Sequence, residues 1–165
     1  MLGKKLHAAL NEQFNREYYS SYLYLAMAAY ATSINLDGFA SWLRVQANEE
    51  MEHAMKFFDY IHDRQGKAEL EAISRPPAKY KNILDLFEKV VAHETHITGS
   101  IYALCELAEK EKDYATQAFL QWFVTEQVEE EANAQRVFDR LKMAGDSTGA
   151  LLYFDKEMGK RAKAA

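Results

Sequence analysis

The chain has 165 residues, 48% of them hydrophobic and 27% charged, which is globular composition and excludes a disordered polypeptide. A formal net charge of −5 leaves no basic footprint for nucleic acid, and 7 Gly with 2 Pro are too few for a turn-rich β-sandwich or barrel. A single cysteine, Cys105, excludes a disulfide framework, a Cys-ligated zinc site and a CxxC redox motif.

The N-terminal MLGKKLHAALNEQ opens an amphipathic helix and has no uninterrupted apolar h-region, so the sequence predicts a cytoplasmic protein. No apolar run approaches the ~18 residues of a membrane span. A first helix is predicted over 4–33, with a stripe of Leu6, Leu10, Gln13, Glu17, Ser20, Tyr24, Met27 and Ala31. Asn35-Leu36-Asp37-Gly38 breaks it. A second helix over 37–65 carries Phe39, Leu43, Gln46, Glu50, His53, Phe57 and Tyr60. The next stretch, 66–81, contains Gly66 and Arg75-Pro76-Pro77, which prevent a helix. A third helix over 82–111 carries Ile83, Phe87, Val90, Glu94, Ile97, Ile101 and Leu104. Asp113 is a cap for a fourth, 113–144, with Leu120, Phe123, Gln127, Glu130, Ala134, Val137 and Leu141. After Gly145-Asp146-Ser147-Thr148-Gly149, a short fifth helix is predicted over 149–161.

The 4-3 spacing repeated over four long helices is the seam of an all-α four-helix bundle. Short links join the first helix to the second and the third to the fourth, so each pair is an antiparallel hairpin. The stretch 66–81 reaches about 53 Å when extended, enough to run back along a helix. The second and third helices are therefore parallel, joined by one long crossover. The fifth helix has no seam left to fill. Its apolar face must dock on the bundle end or on another subunit.

The seams are apolar at both ends and polar in the middle. Glu17, Glu50, His53, Glu94, Gln127 and Glu130 stand where Leu or Ile belongs, at one level of the bundle. An unpaired buried carboxylate costs several kcal/mol. The seams supply no Lys or Arg at that level, so metal cations are the natural counter-charge. Glu50 and His53 form Glu-x-x-His on one helix face. Carboxylate oxygens with one imidazole suit iron or manganese rather than structural zinc. Residues 49, 50 and 53 share their offsets with 126, 127 and 130, which implies a pseudo-twofold site across the bundle.

Glu17, Tyr24, Glu49-Glu50-Met51-x-His53, Glu94 and the run Glu126-Gln127-Val128-Glu129-Glu130-Glu131 resemble the non-haem bacterial and archaeal ferritins. The likeness runs from NEQFNREYYSSYLYLAMA to the short last helix and makes the whole of 1–165 one ferritin-like domain. It implies a di-iron ferroxidase centre inside each subunit. One iron would be held by Glu17, Glu50 and His53. A second would be held by Glu50 as bridge, Glu94 and Glu130. A third iron site is implied at Glu49, Glu126, Glu129 and Glu130. Gln127 would hydrogen-bond near the pair, and Tyr24 would sit beside it. Such proteins oxidise Fe(II) with oxygen or peroxide and store ferric mineral in a hollow 24-subunit homo-oligomeric cage. They need neither nucleic acid nor membrane. The resemblance further implies that the fifth helices gather around the fourfold axes of the cage.

Haem-containing bacterioferritins carry a second Glu-x-x-His on the fourth helix, whereas this chain reads Gln127-x-x-Glu130. That favours the non-haem branch, and no haem is expected, although Met51 falls where bacterioferritins place their haem-ligating Met. A DNA-protecting mini-ferritin builds its iron site between subunits, and a rubrerythrin needs more than one Cys. Outside the centre, Trp122 reads as packing or, by the resemblance, as an electron donor. Met27, Met51 and Met55 read as packing, and Cys105 as a small hydrophobe. His7, His62, His93 and His96 read as surface groups. Lys160, Arg161 and Lys163 read as cations favoured at a helix C-terminus.

Overall fold

A computed structural model describes residues 2–161, so Lys163 lies outside the described residues. Among these residues there are five helices and no strand: α1 (Lys4–Ser33), α2 (Asp37–Asp63), α3 (Ile83–Lys110), α4 (Tyr114–Ala144) and α5 (Thr148–Met158). The fold is a ferritin-like four-helix bundle in which α1 pairs with α2 and α3 with α4, with a short fifth helix at one end. No helix is long and apolar enough to cross a membrane.

Local chemistry sets the helix ends. The Asn82, Asp113 and Ser147 side chains accept the backbone N–H groups of Asp85, Thr116 and Ala150, which starts α3, α4 and α5. Asn35, Gln65 and Lys112 take left-handed backbone angles after α1, α2 and α3. The Gly66 N–H then bonds back to the Ile61 carbonyl. Helix α2 therefore stops at Asp63, two residues before the position that the break at Gly66 predicts.

The stripes of α1, α3 and α4 are buried along their whole length. On α2 the stripe departs from expectation at its last step. Ile61 is fully buried and Tyr60 is half-buried, because a 3.6-residue helix drifts from a strict seven-residue repeat. Tyr60 instead stacks on Phe119 at 3.9 Å and shares a hydrogen bond with Thr116. Arg64, just past the end of α2, donates from both Nη atoms to the Asp113 cap at 2.8 and 3.0 Å. That clamp ties the end of α2 to the start of α4.

The crossover is laid along α1 by a ladder of side chains. Asn11 Oδ1 accepts the Glu69 N–H at 2.7 Å, and Asn15 Oδ1 accepts the Glu71 N–H at 2.9 Å. The amide groups of the same two residues donate to the Lys67 and Glu69 carbonyls. His7 Nε2 accepts the Lys67 N–H at 3.2 Å, so His7 is a crossover clip rather than a plain surface group. Four residues of helix rise about 6 Å, close to the span of two extended residues, which is why the rungs stay in step. At the far end Tyr80 packs edge-on against Tyr30, with ring centroids 5.0 Å apart. The strap thus runs most of the length of α1 and delivers the chain to the start of α3, which runs parallel to α2.

Two apolar cores fill the bundle. One contains Phe39, Leu43, Leu86, Phe87 and Phe154, the other Leu10, Phe14, Phe57, Ile101 and Phe123. The polar layer lies between them. Helix α5 docks on its own bundle: Phe154 and Met158 are buried, and the Phe154 ring meets Phe39 at 5.3 Å. The Asp155 carboxylate accepts the Phe39 N–H at 2.9 Å. Gly38 makes this close approach possible, since a Cβ there would lie 1.7 Å from the Asp155 carbonyl oxygen. Gly38→Ala should therefore push α5 off α2 and destabilise the protein by about 1–3 kcal/mol. Hydrogen exchange across Thr148–Met158 should accelerate in that variant while α1 and α3 exchange unchanged.

Candidate metal centre

Each helix contributes from its middle turns. Glu17 comes from α1, Glu50 and His53 from α2, Glu94 from α3, Gln127 and Glu130 from α4, and all six are at most 4% exposed. Glu17, Glu50 and His53 each bring one ligand atom within 4.8 Å of the others. His53 forms a second such group with Glu126 and Glu130. Glu94 belongs to neither group, although its charge acts on Glu50, and it is held by its neighbours. It accepts the Tyr24 hydroxyl, and the Gln127 amide approaches its carboxylate and its main-chain oxygen at 3.4 Å. Gln127 also reaches Thr98 at 3.2 Å.

Two glutamines that the seam pattern already contained prove to support the carboxylates. Gln13 donates to Glu17 at 2.7 Å, and Gln46 donates to Glu130 at 2.8 Å. Their signal was position alone, since a glutamine in a seam occupies the place of a leucine. Even so, the layer is short of donors. Glu17 Oε2 and Glu50 Oε2 are buried without a hydrogen-bond partner. Acceptor oxygens of this kind are costly unless something positive meets them. The donor set of hard carboxylate oxygens and one imidazole fits iron on chemistry as well as on charge.

The electrostatics of the metal-free layer follow from burial. Burial pushes the Glu17 carboxyl up to about 7, Glu130 to about 7 and Glu94 to about 8. For Glu94 the Tyr24 hydrogen bond opposes that rise. Burial raises Glu50 well above the carboxylate range, and the charges of Glu94, Glu17 and Glu130 add to it. Burial, followed by the Lys56 charge, lowers His53 to about 4, so its imidazole is neutral at pH 7. Without metal, protons replace part of the missing positive charge.

The outer residues differ from these. Glu49 and Glu126 are half-buried and Glu129 is exposed, so this cluster opens toward solvent. Burial raises Glu49, and the Arg161 charge opposes the shift. Arg161 is no simple helix-terminal cation: its Nη2 donates to Glu49 Oε2 at 2.7 Å and its Nη1 bonds to Gln46. Nothing local in the sequence announces that contact, which spans 112 residues. His93 also departs from the surface reading. Its Nε2 meets the Ser20 hydroxyl at 2.8 Å, its ring stands edge-on to Tyr24, and burial lowers it to about 4. Trp122 is 41% exposed, and its ring packs edge-on to His53 at 5.4 Å.

These shifts set a pH dependence for the metal-free protein. The raised carboxylates favour the folded state at low pH and lose that contribution as pH rises through their folded values. The lowered His53 and His93 act oppositely, but only between about 4 and the ordinary histidine value of 6.5. From pH 6.5 to 8 only the carboxylate effect remains. The Tm of metal-free protein should fall across that window, by roughly 5 °C or more. Saturating Zn(II), a redox-inert cation, should flatten the dependence. Calorimetric scans at several pH values with and without Zn(II) measure both, and a metal-free Tm that rises over this window would contradict the carboxylate layer as its source.

Comparison with known proteins agrees with the bundle. The Ferritin-like domain profile matches residues 7–144. The chain is 43% identical over 162 residues to the bacterial non-heme ferritin of Staphylococcus haemolyticus, covering 98% of each protein. A Staphylococcus aureus protein of the same description is 43% identical over 161 residues, covering 98% of this chain and 97% of the relative. Among solved structures, the open pore ferritin of the hyperthermophilic archaeon Archaeoglobus fulgidus superposes with a TM-score of 0.95 at 48% identity, covering 96% of this chain and 98% of that one. An engineered closed form of the Archaeoglobus fulgidus ferritin matches equally, at a TM-score of 0.95 and 48% identity over 96% of this chain and 97% of that one. The family profile and these near-full-length relatives, on a four-helix bundle with a central carboxylate layer, place the chain in the ferritin family.

Proposed function

We propose that this protein stores iron, and that it oxidises Fe(II) at the buried centre before storing Fe(III). The observation that carries the reading is the buried layer of four glutamates and one histidine, with two carboxylate oxygens lacking any donor. Glu17, Glu50 and His53 would take one Fe(II) substrate ion. Glu50, Glu94 and Glu130 would take the second, with Glu50 between them. His53 is the nitrogen donor of the set, and its low proton affinity leaves a lone pair free at neutral pH. Glu49, Glu126, Glu129 and Glu130 would take a third ion more weakly, because this cluster is more open.

Anionic oxygen donors favour Fe(III) over Fe(II), which lowers the iron potential and drives oxidation. Two Fe(II) ions side by side deliver two electrons to one oxidant molecule. Two Fe(II), one O2 and two protons then balance as two Fe(III) and one hydrogen peroxide, with no one-electron oxygen product released. With peroxide as oxidant, two Fe(II) reduce it to water as two protons are taken up. The carboxyls that hold protons in the metal-free layer release them when iron enters, supplying protons at the place where oxygen is reduced. Tyr24 and Gln127 fix the orientation of Glu94, and Gln13 and Gln46 fix that of Glu17 and Glu130.

Storage needs an enclosed space, and we infer a homo-oligomeric cage of 24 subunits. A solved relative is described as an open pore ferritin and its engineered version as a closed form, and a pore with its closure supports an enclosing assembly. The surface supports assembly as well. With Phe154 and Met158 docked inward, Leu152 and Tyr153 on α5 remain 55% and 65% exposed. The protein should elute as a particle of several hundred kilodaltons by size-exclusion chromatography with light scattering. Leu152→Asp with Tyr153→Asp should weaken that particle and leave the centre intact. A wild-type monomer or dimer over a wide range of salt would count against a closed shell.

The centre itself is tested by mixing Fe(II) with oxygen in stopped flow. Glu50→Ala removes the shared donor, and His53→Ala removes the imidazole. Each should slow the fast oxidation phase at least about tenfold, equal to about 1.4 kcal/mol in the barrier. Both variants should stay folded, since Glu50→Ala relieves charge crowding in the metal-free layer. Wild-type kinetics in both would remove the assigned centre.

A further inference from the structure

The carboxylate layer receives no Lys or Arg from the seams of the four long helices, yet one basic side chain reaches its edge from beyond them. Arg161 lies three residues past the end of α5, which docks on α2. Its guanidinium stacks 4.9 Å from the Trp42 ring centroid. Nη2 donates to Glu49 Oε2 at 2.7 Å, and Nη1 donates to Gln46 Oε1 at 2.5 Å. Gln46 passes the contact on, because its Nε2 donates to Glu130 Oε2 at 2.8 Å. One guanidinium thus holds two members of the outer carboxylate cluster, Glu49 directly and Glu130 through an amide.

The Lys56 charge acts on Glu126. We propose that Arg161 is a positioning residue that serves as the resident cation on the Glu49 and Glu130 side of the outer cluster, and that a metal cation loading Glu49, Glu126, Glu129 and Glu130 must displace Arg161. This rests on the reading of that cluster as the weaker iron site. Two positive charges a few ångströms apart on the same carboxylates repel strongly in a half-buried setting. Glu49 Oε2 is committed to the guanidinium, and Gln46 pins Glu130 Oε2 while Arg161 pins Gln46. Departure of Arg161 frees both oxygens. Docking of the chain end and loading of the outer site therefore oppose each other, and linkage makes the effect reciprocal. The consequence for iron handling is a threshold. At low iron Arg161 keeps the outer cluster closed and Glu130 turned toward Gln46. At higher iron the outer site fills and the chain end lets go.

The test is Zn(II) titration calorimetry on the assembled protein, with Trp42 emission followed in a Trp122→Phe background. Wild-type protein should show a tight class and a weaker class of sites, the weaker class being lost in Glu49→Ala with Glu126→Ala. Arg161→Gln should strengthen the weaker class by about three- to tenfold and change the tight class far less, since only Glu130 is common to both. Arg161→Lys, which keeps the charge but not the fork, should fall between. Trp42 emission should change as the weaker class fills, because the guanidinium leaves its ring, and this change should vanish in Arg161→Gln. A role for Arg161 in stability alone would move neither the weaker affinity upward nor the Trp42 signal. A weaker class that the Glu49/Glu126 double variant removes, but that binds equally or less tightly in Arg161→Gln, overturns the proposal about Arg161 alone. A wild-type titration with no weaker class overturns the outer site and the Arg161 proposal together.

Discussion

Four carboxylates and an imidazole buried at one level, with too few donors to satisfy them, are the constraint on which the rest of the bundle depends. Charge in a protein interior costs several kcal/mol per ion unless it is paired. The bundle meets that cost by confining the polar groups to a thin layer and filling the space on both sides with apolar side chains. The upper core centres on Phe39, Phe87 and Leu43, and the lower on Phe14, Phe57 and Phe123. The two cores supply the hydrophobic stabilisation and keep the layer's geometry fixed. Burial, with neighbouring carboxylate charges adding to it, shifts Glu17, Glu50, Glu94 and Glu130 upward, and the protons they then hold offset part of the missing positive charge in the metal-free protein.

Positioning is distributed unevenly around the layer. Glu17, Glu94 and Glu130 each have a dedicated partner in Gln13, Tyr24 and Gln46. Glu50 has no amide or hydroxyl of this kind: its Oε2 is unsatisfied, His53 Nδ1 stands 3.5 Å away, and its carboxyl meets that of Glu17. That freedom suits a carboxylate proposed to lie between two ions, since it must serve both. Toward solvent the layer loosens, from Glu130 to half-buried Glu49 and Glu126 and then to exposed Glu129.

The crossover and the last helix serve the same layer from outside it. The asparagine ladder on α1 allows α2 and α3 to run parallel, and Glu50 and Glu94 reach the central layer from these two helices, which are not packed against each other. Helix α5, seated by Gly38 against Asp155, ends close enough to bring Arg161 to Glu49. A segment that adds nothing to the seams therefore still touches the chemistry.

The sequence by itself determined the helices, their pairing and the composition of the layer, because each rests on local spacing. Apolar residues at 4-3 intervals commit a helix face, two prolines forbid a helix at 76–77, and polar residues at seam positions must meet one another if the seams pair. Only the tertiary structure decided which side chains meet across the bundle. It grouped His53 with Glu126 and Glu130 as well as with Glu17 and Glu50, and it moved His7 and His93 from the surface into a crossover clip and a contact with Ser20. It also folded the α5 face onto its own subunit and carried Arg161 to a carboxylate 112 residues away. The reason is range. Periodicity records what a residue does within its own helix turn, whereas the partner of a long charged side chain is set by the packing angle and register of separate helices, and no local pattern carries that information.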